Sequence, residues 1–255
     1  MLNENFSIIL AVFAAGAAGL VGAFALMKKT ILAGDVMSHV AIPGLGLAII
    51  WQINPLIGGA FTLFIGALII SQLERRTTIS SEAAIGVIFA SSVALGALLI
   101  NSKEELLDAL FGGFGKLSQG EFIFGIASSI FIVAALWLLR NKLIIGLFSE
   151  ELAAAANIKT VWLNFWFLLI FSLAILSGLR FLGALLAGAL IIVPASAARQ
   201  LTHSLPWFLA CSMFLSVLSM IIGLVISQIY NLELGPTVVV VASAIFALSL
   251  LKRKD

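Results

Sequence analysis

Apolar residues fill this chain in long runs, separated by short clusters of charged and turn-forming residues. The runs span 6–27, about 35–51, 55–73, 83–100, 122–139, 161–178, 182–198, 206–229 and 236–251. A helix needs roughly 20 apolar residues to cross the hydrocarbon of a bilayer. Each run is read as one crossing, although the second and seventh are short or interrupted and one of them could be re-entrant or broken. The pattern predicts an all-α polytopic membrane protein, a bundle of about 8–10 transmembrane helices. One stretch between runs, Phe148-Ser149-Glu150-Glu151-Leu152-Ala153-Ala154-Ala155-Ala156-Asn157-Ile158-Lys159, is too polar to cross. It reads as a short helix over about 148–158. Ser149 can cap it, Glu150 and Glu151 sit in the first turn where the helix dipole favours acids, and Asn157 can close it.

Composition sharpens the first conclusion. The chain of 255 residues is 62% hydrophobic and 10% charged, with a mean hydropathy of +1.20. Soluble domains carry about 25% charged residues, so a surface this poor in charge belongs in lipid. The net charge of +2 is not gathered into a nucleic-acid-binding stripe. A single cysteine, Cys211, lies in an apolar run, which excludes an internal disulfide and suits packing. The run 6–27 has no basic segment before it and reads as a first membrane helix rather than a cleaved signal.

Lysine and arginine orient the chain. With the N-terminus outside and one crossing per run, the inner side receives Lys28, Lys29, Arg75, Arg76, Arg140, Lys142, Lys159, Arg199, Lys252, Arg253 and Lys254; the outer side receives Lys103, Lys116 and Arg180. Eleven against three satisfies the positive-inside rule, and a single miscounted crossing would destroy the bias. This places the C-terminus and the short helix at 148–158 in the cytoplasm. Small-residue stretches such as Ala14-Ala15-Gly16-Ala17-Ala18-Gly19 allow helix backbones to approach closely. No repeat or linker divides the chain, so 1–255 reads as a single transmembrane domain.

The candidate chemistry sits in Gly34-Asp35-Val36-Met37-Ser38-His39, followed by an apolar run containing Pro43-Gly44. Residues four apart share a helix face, so Asp35 and His39 can address one ligand. Acidic and imidazole groups in a membrane segment are costly without a partner or a task. Carboxylate oxygen and imidazole nitrogen both suit zinc, manganese and iron(II). Asp35 could otherwise cap its helix, and His39 could be an interfacial residue. Ser38, Pro43 and Gly44 read as helix-shaping, since Pro43 removes a backbone donor and can loosen a gate. Glu82 and Glu121 open the runs that follow them; Arg180 and Arg199 flank the seventh run; His203 reads as a surface residue; Gln52 and Asn54 fall in a tight turn before Pro55.

Three stretches together resemble the membrane permease subunit of metal-ion ABC importers, the family that takes up zinc, manganese or iron. They are Gly34-Asp35-x-x-Ser38-His39-x-x-x-Pro43-Gly44, the segment Phe148–Ala153, and the run from Arg180 through Val193-Pro194-Ala195-Ser196 to Arg199. The resemblance covers almost the whole chain. It implies a homodimer around a central pathway and two copies of a cytoplasmic ABC ATPase docked on the short inner helices, with an extracytoplasmic metal-binding protein delivering the ion. Phe148, Glu150, Glu151, Leu152 and Ala153 would form the ATPase-docking helix. Asp35 and His39 would be metal ligands, and a second copy would raise the ligand number from two to four. No Gly-x-x-x-x-Gly-Lys-Ser/Thr loop occurs, so ATP hydrolysis falls to a separate subunit and the chain is not itself an enzyme. No permanently bound cofactor is expected, and without a His-rich or Cys-rich loop, capture of metal from solution falls to another protein. The alternatives are a stand-alone secondary cation carrier or channel, which would have no use for the inner helix, and an ABC permease for a metal chelate. A catalytic membrane enzyme lacks a second cluster of acids and histidines.

Overall fold

The computed structural model describes residues 2–28, 32–76, 81–100, 118–148 and 150–251. Among them every regular element is an α-helix: α1 (Leu2–Met27), α2 (Leu32–Ile50), α3 (Pro55–Arg76), α4 (Ser81–Leu99), α5 (Gln119–Phe148), α6 (Glu150–Ala155), α7 (Thr160–Leu201), α8 (Leu205–Tyr230) and α9 (Leu234–Ser249). Hydrocarbon offers no hydrogen bonds, so a helix, which satisfies its own backbone, is the element such runs must adopt. Among the described residues, five helical stretches are long and apolar enough to cross a membrane: Phe6–Met27, Pro55–Gln72, Gln119–Leu147, Thr160–Leu179 and Leu205–Tyr230. The shorter apolar stretches Val36–Ile50, Gly86–Leu99, Ala187–Leu201 and Leu234–Ser249 run beside them.

The sixth and seventh apolar runs merge in α7, whose 42 residues would extend about 63 Å if straight, twice the hydrocarbon thickness. The helix breaks at Gly183, with φ 70° and ψ 174°. This is a conformation open in practice only to glycine. Across the break, a Cβ on Gly178 would lie 3.6 Å from the Ala187 Cβ. Nine residues along a straight helix would separate them by about 13 Å. The helix therefore doubles back, with a first limb before Gly183 and a second after it.

One end of the bundle gathers the basic residues. Lys28, just past α1, donates to Asn164 Oδ1 on α7 at 2.5 Å and sits 4.6 Å from the Phe167 ring centre. Leu26, Ile144, Arg199 and His203 meet at the same end. The α2–α3 turn at Asn54, the start of α5 at Gly120 and Leu176 near the α7 reversal meet at the other. Successive helices thus alternate in direction, as the apolar runs lead one to expect.

α1 packs against α5, α7 and α8, and α2 against α3, α4 and α7. α7 touches α1, α2, α3, α5, α8 and α9. The apolar stretch of α1 is 78% buried, whereas that of α5 is 28% buried, so α1 is core and α5 is perimeter. Small residues set the closest crossings: the Ser212 hydroxyl donates to the Gly19 carbonyl at 2.6 Å, holding α8 against α1. Interhelical hydrogen bonds of this kind contribute about 0.6 kcal/mol in membranes.

Two boundaries differ from the sequence expectation. α5 continues past Leu139 to Phe148, because Arg140, Asn141 and Lys142 interrupt hydropathy without interrupting the helix. Leu143 beyond them is 2% exposed, and the Arg140 guanidinium folds back over the Trp137 ring at 4.2 Å. Phe148 accordingly ends α5 rather than opening the short helix. α6 is six residues long, and Ser149, its expected cap, lies outside the described residues. Its far end closes at Asn157, whose φ is 54°, with Ile158 N donating to Ala153 O at 2.8 Å and Asn157 N to Ala154 O at 3.0 Å. That pairing satisfies carbonyls the helix end would leave open.

Candidate functional site

α2 carries the polar pair. Its residues 36–46 are all buried, held by α3, α4 and α7. His39 is 7% exposed and Ser38 fully buried. The His39 ring meets Phe89 of α4 edge-on, with centres 4.7 Å apart at 67°. Ser38 Oγ lies 3.4 Å from His39 Nδ1, which leaves the opposite ring nitrogen as the one directed away from its own serine. Asp35 lies on the same unbroken helix one turn earlier, so the backbone sets the two residues on one face.

Pro43 and Gly44 follow on the same helix. α2 remains helical through Pro43, although proline supplies no N–H to the carbonyl of His39, four residues before it. Gly44 marks where α2 and α3 cross. A Cβ there would overlap the Gly58 carbonyl and the Thr62 hydroxyl, and a Cβ on Gly58 would overlap the Gly44 carbonyl. On the other side, a Cβ on Gly96 of α4 would lie 2.5 Å from Ile42 Cγ2 and 3.6 Å from Pro43 N. The polar half of α2 is therefore clamped just beyond His39 by contacts that tolerate no side chain.

The other residues singled out by sequence are dispersed. Glu82 is the second residue of α4, at the end of the bundle where α2 begins. Glu121 forms a reciprocal cap with Ser118 at the start of α5: Ser118 N donates to Glu121 Oε2 at 2.9 Å, and Glu121 N to Ser118 Oγ at 3.2 Å. Asn54 Oδ1 accepts from Leu56 N at 2.9 Å and caps α3 ahead of Pro55. His203 is exposed, and the Arg199 guanidinium lies 5.8 Å from the Phe208 ring centre. On α6, Glu151 and Leu152 face outward, Leu152 at 59% exposure, while Ala153 is buried against the bundle. Among the described residues, no group of three or more His, Cys, Asp or Glu side chains converges.

Two participants escaped the sequence reading. Phe89 gives no signal, being one apolar residue among many. Asn164 could have been found as the lone amide within Trp162-Leu163-Asn164-Phe165.

Comparison with known proteins agrees with this architecture. The chain is 31% identical over 237 residues to the high-affinity zinc uptake system membrane protein ZnuB of Haemophilus influenzae, covering 91% of each. It is 29% identical over 235 residues to the manganese transport system membrane protein MntC of Halalkalibacterium halodurans, covering 91% of this chain and 80% of that one. The structure of PsaBC from Streptococcus pneumoniae in complex with Fab contains a chain that superposes with a TM-score of 0.86 at 26% identity, over 96% of this chain and 90% of its own. The sequence matches the ABC 3 transport family over residues 5–253, and to that family the chain, a multi-pass membrane protein, belongs.

Proposed function

We propose that this chain is the permease subunit of an ATP-driven importer of a divalent metal ion, manganese, zinc or iron, with 1–255 acting as one permease domain. The observation that carries the reading is His39, buried within α2 one turn beyond Asp35 in a chain of the ABC 3 transport family. The names of the zinc and manganese relatives support the choice of cargo.

Asp35 supplies a carboxylate oxygen, and His39 a nitrogen that binds metal only when neutral. Two ligands from one chain are too few to hold an ion tightly, since structural zinc takes four. A second copy of the chain would bring its own pair and complete a shared site on the dimer axis. Such a site is weak by design, because an ion held too firmly does not leave. Pro43 and Gly44 shape the helix that carries the pair, and Glu82 is a second carboxylate at the same end of the bundle. α6 docks the separate ATPase, through Glu150 beside the outward Glu151 and Leu152, with Phe148 contributing from the end of α5 and Ala153 seating the helix on the bundle. An extracytoplasmic binding protein hands over the ion. Nine crossings put the N-terminus outside and the basic end, with α6, in the cytoplasm.

The test is uptake of radiolabelled zinc, manganese and iron by cells expressing the whole complex, with wild type and His39→Ala. Accumulation of one metal, lost in the variant, is the expected result and names the cargo. Undiminished uptake by His39→Ala removes the transit site, and absence of uptake for all three metals removes the importer.

A further inference from the structure

Two hollows lie in line along α1 between α5 and α8, on a side of the bundle to which α2, α3 and α4 contribute nothing; together they are called the furrow. Its mid-membrane part is a cavity of about 500 Å³ lined by Gly16, Ile130, Ala134, Trp137, Met213 and Val217. Its part at the basic end is a cavity of about 480 Å³, where Leu26, Ile144 and Leu147 form apolar walls and Arg199 and His203 bring charge and ring N–H groups. α1, α5 and α8 line both, and the end of α7 adds Arg199 to the second. From Trp137 to Ile144 on α5 is about 10 Å along the axis, and from Phe208 to Met213 on α8 about 7 Å. Between them on α5, Arg140 lies over Trp137.

We propose that this furrow binds one anionic phospholipid of the leaflet at the basic end. Its phosphate sits between Arg199 and His203, and one acyl chain lies along α1 toward Trp137 and Met213. The layering matches the ligand. Arginine donates two hydrogen bonds to a phosphate in a fixed fork, and histidine donates one from either protonation state. One leaflet is about 15 Å of hydrocarbon, so a chain anchored at the cationic mouth reaches the largely apolar cavity before the bilayer centre; the one hydroxyl there, Ser129, is turned to the Gly125 carbonyl at 2.8 Å. Basic pockets between membrane helices recruit anionic headgroups in this way. A small inorganic anion would leave Leu26, Ile144 and Leu147 lining an unfilled space. A zwitterionic lipid would bring its own cation against Arg199.

The experiment is native mass spectrometry of the full-length chain in its assembled complex. The probes are phosphatidylglycerol and phosphatidylcholine of identical acyl chains, and the thermal shift given by inorganic phosphate is measured alongside. Phosphatidylglycerol should be retained roughly tenfold better than phosphatidylcholine, the scale of a charge-assisted hydrogen bond, and phosphate should give no shift. Arg199→Gln with His203→Gln should abolish the preference. Ala134→Phe, which fills the exposed apolar part, should reduce retention of phosphatidylglycerol with the charges intact. Equal retention of the two lipids by the wild type overturns the proposal, as does a preference that survives both variants. A thermal shift given by inorganic phosphate and lost in the double charge variant would overturn the proposal and assign the mouth to a free anion. Dissociation of subunits caused by Ala134→Phe would assign the furrow to a second copy of the chain. Should the double charge variant fail to fold, Ala134→Phe decides alone, and unchanged retention in it overturns the proposal.

Discussion

Two neighbours of His39 are Ser38, whose hydroxyl lies beside Nδ1, and Phe89, whose ring meets the imidazole edge-on. Asp35→Asn keeps the side-chain shape and removes the charge. We expect it to lower metal uptake at least tenfold, the scale on which losses around a metal site are felt, while the complex still purifies intact. Gly183 is a residue of another kind, required by its backbone. Gly183→Ala should cost about 1–3 kcal/mol, because φ 70° with ψ 174° admits no Cβ without strain. Thermal unfolding of the purified chain measures that loss, and an unchanged midpoint would show that the reversal does not depend on glycine. The acid–imidazole pair was legible in the sequence because polar residues stand out against an apolar background. Phe89 was not legible, because nothing distinguishes one phenylalanine among 19 until its helix is placed beside α2.

Among elements, α2 is positioned by crossings without side chains. Gly44→Ala should destabilise the chain by about 1–3 kcal/mol, since the added methyl meets the backbone of α3. Gly86→Ala on α4 is the matched control, because a Cβ there meets nothing within 4 Å. Helix propensity alone predicts that Gly86→Ala is neutral or stabilising by up to about 1 kcal/mol. Thermal midpoints moving together would refute the distinction. For α6, Glu150→Arg with Glu151→Arg should abolish co-purification of the ATPase while the thermal midpoint of the permease stays in place, since Glu151 is exposed. Retention of the ATPase would remove the docking role. The closing Asn157 of this helix could be read from sequence because a left-handed C-terminal residue is often asparagine or glycine. The end of α5 could not, because Arg140 and Lys142 mimic a boundary, while the helix runs on and Arg140 folds over Trp137.

At the scale of the whole molecule, alternation of the helices sets the ends apart, and a cysteine scan can test which end is outside. In a Cys211→Ala background, Gln52→Cys in the exposed α2–α3 turn should react with an impermeant maleimide on intact cells. Glu151→Cys on α6 should react only after permeabilisation; the reverse pattern would invert the orientation. The order of crossings was legible because hydropathy alone marks each run. The furrow over α1 was not, because its two walls come from helices each more than 100 residues from α1 in sequence. A last consequence follows from the doubled α7. Its first limb begins a few residues after α6, its second limb ends at Leu201 just before the start of α8, and between them it touches most of the bundle. Mechanically this is a hairpin spring with both feet on one side and its bend at Gly183 on the other. A displacement imposed on either foot would reach the other through the bend, so the two limbs are expected to move as a single part.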